Sequence, residues 1–298
     1  MDSQTSAEPV LITGCSSGIG RAAAISLHHA GLRVYATARR PATLAALASQ
    51  GIATLALDVT DEASMAAAVA QVERDAGAVG TLLNNAGYGL YGPVEQLPMS
   101  EIRREFETNF FGLARLIQLV LPGMRRRGGG RILNVSSMGG RVTLPGGAFY
   151  HASKYAVEAL SDALRMEVAQ FGIHVVLIEP GPVKTPWTER AAASLSVTDP
   201  ADGGPGQPAA ADAGDDPYAA FKAAVGVSFA RTESDPLVSR LGSDADGIAR
   251  VITRAVTARR PRTRYLINPV AKSLVALSSV LPDRVFDTVI RRQYGLPG

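Results

Sequence analysis

The alternation of two kinds of segment along the first 180 residues constrains the fold more strongly than any other feature of this sequence. Short β-rich runs at 10–12, 32–36, 54–57, 81–83, 131–135 and 174–178 alternate with alanine- and leucine-rich runs of helical spacing at 21–30, 43–49, 62–75, 100–124 and 152–171. Such alternation predicts an α/β fold, with a parallel sheet and helices on both of its faces. Ligands of such sheets bind at the carboxyl ends of the strands, where the polar motifs of this chain fall.

Size and composition indicate one globular domain. The 298 residues suit a single α/β domain, here residues 8–298, and the hydrophobic content of 46% is ample for a buried core. A net charge of +3 does not by itself indicate a nucleic-acid partner. The single cysteine, Cys15, excludes an intrachain disulfide and is typical of a reducing cytoplasm.

The sequence predicts neither secretion nor a membrane span. Residues 1–8 are polar and acidic, unlike a secretion signal. A membrane-spanning helix needs about 20 apolar residues, whereas the longest candidate, 270–281, contains Lys272 and three serines. We expect this segment to be a packed or substrate-covering helix, and shallow membrane contact is the alternative.

A glycine-rich turn follows the first strand-like run and precedes the first helical run. Its residues are Thr13, Gly14, Cys15, Ser16, Ser17, Gly18, Ile19 and Gly20. Glycines let the backbone turn tightly and approach a pyrophosphate, which the free N–H groups and the dipole of the next helix hold. Many glycine-rich turns are only tight turns, but the position between a strand and a helix favours a dinucleotide site. We interpret Cys15 as a small filler residue.

Ser137, Tyr150 and Lys154 form the candidate catalytic group. Tyr150 and Lys154 are four residues apart, so they share one face of a helix. A nearby ammonium group favours the phenolate of a tyrosine whose pKa is normally about 10. With a serine hydroxyl to bind the substrate oxygen, the three residues form a proton-transfer device for interconverting an alcohol and a ketone.

The histidines offer no comparable site. His151 is adjacent to Tyr150, but neighbouring helix positions do not face each other, so we expect a structural or pocket-edge role. His28, His29 and His174 lack metal-ligand spacing with acidic or cysteine partners. The sequence therefore predicts no metal.

Taken together, the motifs resemble the short-chain dehydrogenase/reductase family over about residues 8–190. They are the turn at 13–20, Asp58-Val59, Asn84-Asn85-Ala86-Gly87, Asn109, Ser136-Ser137, the run Tyr150 to Lys154 and the run Pro180 to Thr185. Residues 34–39 and 85–93 resemble the branch acting on hydroxysteroids, retinoids and related apolar alcohols. The resemblance implies a Rossmann-type, doubly wound parallel sheet and a homodimer or homotetramer.

The resemblance also assigns catalytic roles. It implies that Tyr150 donates or accepts the proton and that Ser137 polarises the oxygen. Lys154 would lower the pKa of Tyr150 and bind the cofactor ribose, and Asn109 would hold a relay water. Because asparagine is a poor mid-helix residue, Asn109 also indicates a local helix distortion or a satisfied polar side chain. These interpretations of Asn109 are compatible.

The implied cofactor residues line one predicted crevice. They are Gly14, Ser16, Ser17, Gly18, Ile19, Gly20, Arg39, Arg40, Asp58, Val59, Asn85, Ala86, Gly87, Tyr150, Lys154, Pro180, Gly181, Val183 and Thr185. Asp58 would bond the adenine amino group and Val59 would pack on the ring. Alternatively, Asp58 is a strand-end residue that caps the helix beginning near Thr60. The segment from Asn85 to Gly87 would stabilise the central strands and contact the adenine ribose, or be a simple turn.

The end of the second strand predicts the choice of cofactor. NAD sites place a carboxylate there, against the ribose hydroxyls, but this strand is followed by Arg39 and Arg40. Because arginine suits a 2′-phosphate, we favour NADP(H) over NAD(H). The alternative is a solvated arginine pair that opens a helix.

The regular alternation ends near residue 190. Residues 191–221 contain no lysine or arginine, and 197–217 are rich in Pro, Gly, Ala and Asp. We predict that 191–245 is a flexible substrate-lid insertion; a mobile surface insertion is the alternative. Residues 246–298 should form a C-terminal helical extension, with a helix at 246–258, a final strand at 265–267 and two short helices around Pro282.

The predicted substrate wall is apolar. Its members are Tyr88, Leu90, Tyr91, Met138, Leu144, Phe149 and Trp187. We therefore predict a cytoplasmic, NADP(H)-dependent oxidoreductase that interconverts an alcohol and a ketone or aldehyde on a steroid-, retinoid- or lipid-like substrate.

Alternatives from other classes stay open. The same fold suits a non-catalytic NADP(H)-binding sensor, and a related enzyme could reduce an activated double bond. The basic run at 259–264 could bind nucleic acid or an anionic membrane, although a solvated loop is the more usual role of such a run. We expect no nucleic-acid partner.

Overall fold

A seven-stranded parallel sheet forms the centre of the molecule. The computed structural model describes residues 8–183, 186–196, 216–234 and 243–296. The strand order is β3-β2-β1-β4-β5-β6-β7, with every neighbouring pair parallel. The strands are β1 (Pro9–Ile12), β2 (Arg33–Ala38), β3 (Ala53–Ala56), β4 (Thr81–Asn84), β5 (Gly130–Val135), β6 (Ile173–Pro180) and β7 (Arg264–Ile267). The predicted doubly wound Rossmann-type fold is thus confirmed.

Helices cover both faces of the sheet. They are α1 (Gly18–His29), α2 (Ala45–Ala48), α3 (Glu62–Ala76), α4 (Met99–Phe106), α5 (Gly112–Arg127), α6 (Ala148–Val168), α7 (Pro186–Ala193), α8 (Ala219–Ser234), α9 (Ala245–Thr257), α10 (Pro269–Val280) and α11 (Asp283–Tyr294). None of the helices in the described ranges is long and apolar enough to cross a membrane.

Successive strand residues enter different cores because side chains of a strand alternate between its faces. Val10 and Ile12 of β1 pack in the core shared with α1 and α9, whereas Leu11 packs in the core shared with α3, α5 and α6. All three side chains are fully buried. Burial on both faces explains why the strands are continuous apolar runs in the sequence.

From β1 the chain adds β2 and β3 on one side of the sheet, and it then adds β4 to β7 on the other side. A crevice opens between β1 and β4, at the carboxyl ends of the strands. Side-chain hydrogen bonds hold the two strand ends together. The Thr13 hydroxyl oxygen accepts from the Asn85 N–H at 2.9 Å and from the Ala86 N–H at 3.0 Å. The Asn85 side-chain amide donates to the Thr13 carbonyl at 2.9 Å. Asn85 thus has the strand-stabilising part of its predicted role.

The predicted helix at 100–124 is divided into three parts. Between α4 and α5 lies a π-helical segment, Glu107–Phe111, with Asn109 in its middle. A π-helical segment inserts a wider turn into the helix. The local distortion expected at Asn109 is therefore present.

The predicted C-terminal extension, residues 246–298, forms part of the sheet and of one core. β7 pairs with β6 and α9 packs against α1, so the segment completes both the sheet and one core. Within the predicted lid, 197–215 and 235–242 lie outside the described residues, while α7 and α8 form helices on either side of the first gap. α8 was not predicted from the sequence.

Candidate active site

One cavity of about 960 Å³ lies at the carboxyl ends of the strands. It brings together most residues of the predicted cofactor site: Gly14, Ser16, Ser17, Gly18, Ile19, Arg39, Asp58, Val59, Asn85, Ala86, Gly87, Tyr150, Lys154, Pro180, Gly181 and Val183. Gly20 and Arg40 do not line it, and Thr185 lies outside the described residues. Since the wall of the cavity continues to Ser137, the glycine turn and the catalytic candidates share one site.

The catalytic candidates come from two neighbouring elements. Ser137 follows β5, and Tyr150 and Lys154 lie one turn apart on α6. The Lys154 ammonium Nζ donates to the Val135 carbonyl at 2.9 Å and is 6.0 Å from the centre of the Tyr150 ring. The Ser137 hydroxyl oxygen accepts from the Gly139 N–H at 3.0 Å. These contacts fix all three groups around one part of the cavity.

Burial changes the pKa values of Tyr150 and Lys154. Removal from water raises the pKa of Tyr150 to about 12, although a hydrogen bond with Ser137 lowers it. Burial lowers the pKa of Lys154 to about 8, against the raising effects of Glu105 and Glu158. Loss of hydration thus outweighs the hydrogen bond with Ser137, and the lowering of the pKa of Tyr150 by Lys154 stays a prediction.

Asn109 lies behind the cavity wall and is 1% exposed. Its side-chain oxygen accepts from the Tyr88 N–H at 3.0 Å, and its amide donates to the Tyr88 carbonyl at 2.9 Å and to the Ser153 hydroxyl at 3.0 Å. The side chain is thus a satisfied polar group that holds the wall segment. Its place in a water relay stays a prediction.

The turn after β1 fits the phosphates of a dinucleotide. α1 begins at the cavity with no acidic residue in its first turn, and the Ser17 side chain does not cap it. An added Cβ at Gly20 would lie 2.4 Å from the Gly14 carbonyl oxygen, so glycine is required where the helix meets the turn. The helix N-terminus is left open to an anion. Cys15 is buried beneath, its pKa raised to about 12 by burial, as suits a filler residue.

Of the two arginines predicted to bind the cofactor, one lines the cavity. Arg39 lines the cavity directly after β2, while Arg40 starts the next turn outside it. Asp58 accepts from the Thr60 N–H at 3.0 Å and the Thr60 hydroxyl at 2.8 Å. The cap of α3 is Asp61, whose carboxylate accepts from the Ala63 N–H at 2.9 Å. The capping role considered for Asp58 therefore belongs to Asp61.

The substrate side of the cavity is largely aromatic. Tyr88, Leu90, Tyr91, Met138, Leu144 and Trp187 line it as predicted. Phe149 does not, because it packs instead on the separate cluster of Leu90, Leu97 and Ile102. The ring centres of Tyr150 and Trp187 are 5.2 Å apart, and those of Tyr150 and Tyr91 are 5.8 Å apart. The phenol of Tyr150 is thus enclosed by rings.

Several lining residues were missed by sequence reasoning. They come from α8 and α11 and include Val225, Phe229, Gln293 and Tyr294. Val270 and Leu274 of α10 also line the cavity, and they lie in the segment 270–281 that was predicted to be a packed or substrate-covering helix. Phe221, Val225 and Phe229 recur every four residues, which is the spacing of one helix face and the signal that the sequence offered. Gln293 and Tyr294 carried no such signal, because their contact with the cavity depends on the packing of α11 against α8.

His151 has the expected position at the pocket edge. Its Nδ1 lies 3.0 Å from the Gly139 carbonyl oxygen, and burial lowers its pKa to about 4. It therefore packs as a neutral ring against Tyr91, with ring centres 6.4 Å apart. Over the described ranges, no group of three or more His, Cys, Asp or Glu side chains is placed to hold a metal ion.

The sheet, the glycine turn and the Ser-Tyr-Lys group define a nucleotide-dependent oxidoreductase. Residues 8–195 match the sequence profile described as short chain dehydrogenase, and the chain belongs to this family, whose members bind a nicotinamide cofactor. A solved structure described as a short-chain dehydrogenase from Streptomyces avermitilis is 32% identical, with a TM-score of 0.74 over 99% of this chain and 100% of that one.

Named relatives cover nearly the whole chain. An uncharacterised oxidoreductase, YbbO, of Escherichia coli is 32% identical over 95% of this chain and 93% of its own. An NADPH-dependent 3-dehydrocapnine reductase of Ornithobacterium rhinotracheale is 30% identical over 94% of each chain. Retinol dehydrogenase 8 of Bos taurus is 34% identical over 92% of this chain and 86% of its own. These similarities agree with the predicted branch.

Proposed function

We propose that this protein is an NADP(H)-dependent oxidoreductase that interconverts an alcohol and a ketone or aldehyde on a bulky apolar substrate. The observation that carries the proposal is the single cavity in which the open N-terminus of α1 and the Ser137, Tyr150 and Lys154 side chains meet. A nicotinamide cofactor held there would carry the hydride.

The protein would supply positioning and the proton. Ser137 would donate a hydrogen bond to the substrate oxygen and Tyr150 would exchange a proton with it. Because burial raises the pKa of Tyr150 to about 12, its phenol is protonated at neutral pH and suited to donating a proton to a carbonyl. Lys154 would bind the ribose and favour the phenolate left after transfer, and Asn109 would support the water that restores the proton.

Two observations support the proposed choice of cofactor and the proposed class of substrate. Arg39 lines the cavity where β2 ends without a carboxylate, which favours NADP(H), and one relative is named as NADPH-dependent. The aromatic and aliphatic wall around Tyr150 suits a steroid-, retinoid- or lipid-like carbonyl, and another relative is named as a retinol dehydrogenase.

The proposal extends to the organisation of the molecule. We place residues 8–298 in one domain in which 191–245 act as a substrate lid and 246–298 complete the domain. Trp187 at the start of α7 and Phe229 on α8 already line the cavity, which supports a covering role for this region. We further propose a cytoplasmic homodimer or homotetramer, by analogy with the family.

The test is Tyr150→Phe, which removes the proton but keeps the ring. We expect the variant to bind NADPH as the wild type does in a fluorescence titration and to lose turnover of a bulky apolar ketone by about 100-fold or more. Tyr155→Phe, which removes the hydroxyl of an exposed tyrosine on the same helix, is the matched control and should keep wild-type turnover. Near-normal turnover by Tyr150→Phe would rule out the assignment, and tight NADPH binding by a wild type that turns over no carbonyl would favour a sensor.

A further inference from the structure

A buried carboxyl group lies close to the site and has no role in the proposed reaction. Glu105, on α4, is 0% exposed. Its Oε1 accepts a hydrogen bond from the Leu90 N–H at 2.8 Å, and its Oε2 has no hydrogen-bond partner among the described residues. A carboxyl group is costly to bury with only one partner, so it needs a compensating interaction.

Glu105 and Asn109 hold the same piece of chain. They are one helical turn apart, and their side chains bind the main chain of alternate residues, Leu90 and Tyr88. The side chains of Tyr88, Leu90 and Tyr91 line the substrate side of the cavity. The clamp therefore fixes the wall that faces Tyr150.

Glu105 also acts on the charge of Lys154. α4 packs against α6, and the carboxylate of Glu105 raises the pKa of Lys154, which burial otherwise lowers to about 8. Glu158 has the same effect but is paired with Arg264 at 3.1 Å. Burial raises the pKa of Glu105 to about 7, and the Lys154 charge lowers it.

Glu105 shifts the pKa values of the tyrosines around it in the same direction as that of Lys154. Its negative charge raises the pKa of Tyr150 on α6 and of Tyr88 and Tyr91 on the wall. With Lys154, these are the titratable groups on the neighbouring elements that the Glu105 charge affects. Since Lys154 is the one cation among them, an ionised Glu105 keeps the lysine charged while keeping the tyrosines protonated.

We propose that Glu105 is a positioning residue of this active site, which clamps the cavity wall at Leu90 and places a buried negative charge on the helix that packs against the helix of Lys154. The proposal rests on the proposed function for its effect on turnover. Its two parts are separable, because a glutamine at this position retains an oxygen for the Leu90 N–H but has no charge.

The first experiment needs neither cofactor nor substrate. The chain has four lysines, and trace acetylation at several pH values followed by peptide mass spectrometry gives the pKa of Lys154 relative to the exposed Lys272. We expect Glu105→Gln to lower the pKa of Lys154 by about one unit. Glu107→Gln, which removes the same charge from an exposed neighbouring position, should leave it unchanged.

The second experiment separates the hydrogen bond that Glu105 accepts from Leu90 from the effect of its charge. Glu105→Ala, which removes the acceptor, should raise KM for a bulky ketone by roughly tenfold, because a misplaced wall disturbs substrate orientation. Glu105→Gln should keep a wild-type KM while the basic limb of its pH–rate profile moves to lower pH by about one unit. Should Glu105→Ala fail to fold, the glutamine variant still tests the charge.

The outcomes are distinct. An unchanged Lys154 pKa in Glu105→Gln, or a shift equal to that of Glu107→Gln, would overturn the charge role. A wild-type KM in folded Glu105→Ala would overturn the clamp. A wild type without turnover would contradict the proposed function, and the acetylation result would still decide the link between Glu105 and Lys154.

Discussion

Arg39 and Arg40 are neighbours in the sequence, but only Arg39 lines the cavity. We therefore predict that Arg39→Ala weakens NADPH binding by about 10- to 100-fold and leaves NADH binding nearly unchanged, because a hydrogen bond to a charged group contributes about 1.5–3 kcal/mol. Fluorescence titration with both cofactors measures this directly.

Arg40→Ala is the matched control, since it removes the same charge from the adjacent exposed position. We expect its NADPH affinity to stay within about threefold of the wild type at moderate salt, because the long-range effect of an exposed charge is screened. Equal losses in the two variants would mean that the net charge of the strand end matters and that no specific phosphate contact is made by Arg39.

Residues whose contacts are local were predictable from the sequence. Tyr150 and Lys154 lie one turn apart on α6, so helix geometry alone brought them together. Glu105 was missed because its contact with Leu90 joins two separate elements. Trp187 was predicted at the substrate wall, but its ring contact with Tyr150 joins segments far apart in the chain. Nor could the raised pKa of Tyr150 be predicted, since it comes from burial by those same distant segments.

At the scale of elements, the beginning of α5 is fitted closely against the loop after β3. An added Cβ at Gly112 would lie 2.1 Å from the Val59 carbonyl oxygen, far inside any permitted contact. Gly112→Ala must therefore displace α5 or Val59, and overpacking of this kind costs about 1–3 kcal/mol. Because Val59 lines the dinucleotide part of the cavity, we also expect weaker NADPH binding. Thermal unfolding and cofactor titration measure the two effects.

Gly226→Ala provides the comparison. Gly226 also lies in a helix, α8, but its added Cβ would meet only a Leu195 methyl group at 3.8 Å. Alanine in an unobstructed helical position is favoured over glycine by about 0.5–1 kcal/mol. The two substitutions should therefore change stability in opposite directions. Destabilisation of similar size in both would contradict the close approach at Val59.

Elements that are stabilised by a regular pattern of buried residues were predictable from the sequence, and elements whose shape depends on packing against other elements were not. The central strands were predictable because burial on both faces requires continuous apolar runs. The division of 100–124 was only partly predictable: Asn109 indicated a distortion, but a π-helical segment depends on its fit against α6. α8 was missed because it directly follows a tract of Pro, Gly, Ala and Asp, whose composition outweighed the regular spacing of Val225 and Phe229.

At the scale of the whole molecule, apolar side chains remain exposed along α6. Met166 is 74% exposed and Tyr155 is 42% exposed. They lie eleven residues apart on α6, about three helical turns, and so share one face. Phe111, 51% exposed, belongs to the π-helical segment that packs on the same helix. Scattered exposed apolar residues are ordinary, but a shared helix face is a suitable surface for a second copy of the chain.

We predict that the protein is a dimer or a larger homo-oligomer and that the double variant Tyr155→Glu, Met166→Asp lowers its mass to that of a monomer. In a two-fold interface each substitution is made on both sides, so four negative charges would have to be buried near one another. Light scattering after size-exclusion chromatography gives the mass, and far-ultraviolet circular dichroism checks the fold. Val280→Asp is the control, because Val280 is 81% exposed on α10 and lies on a different element. A wild-type monomer, or an equal loss of assembly in the control, would show that this face of α6 is not the contact between subunits.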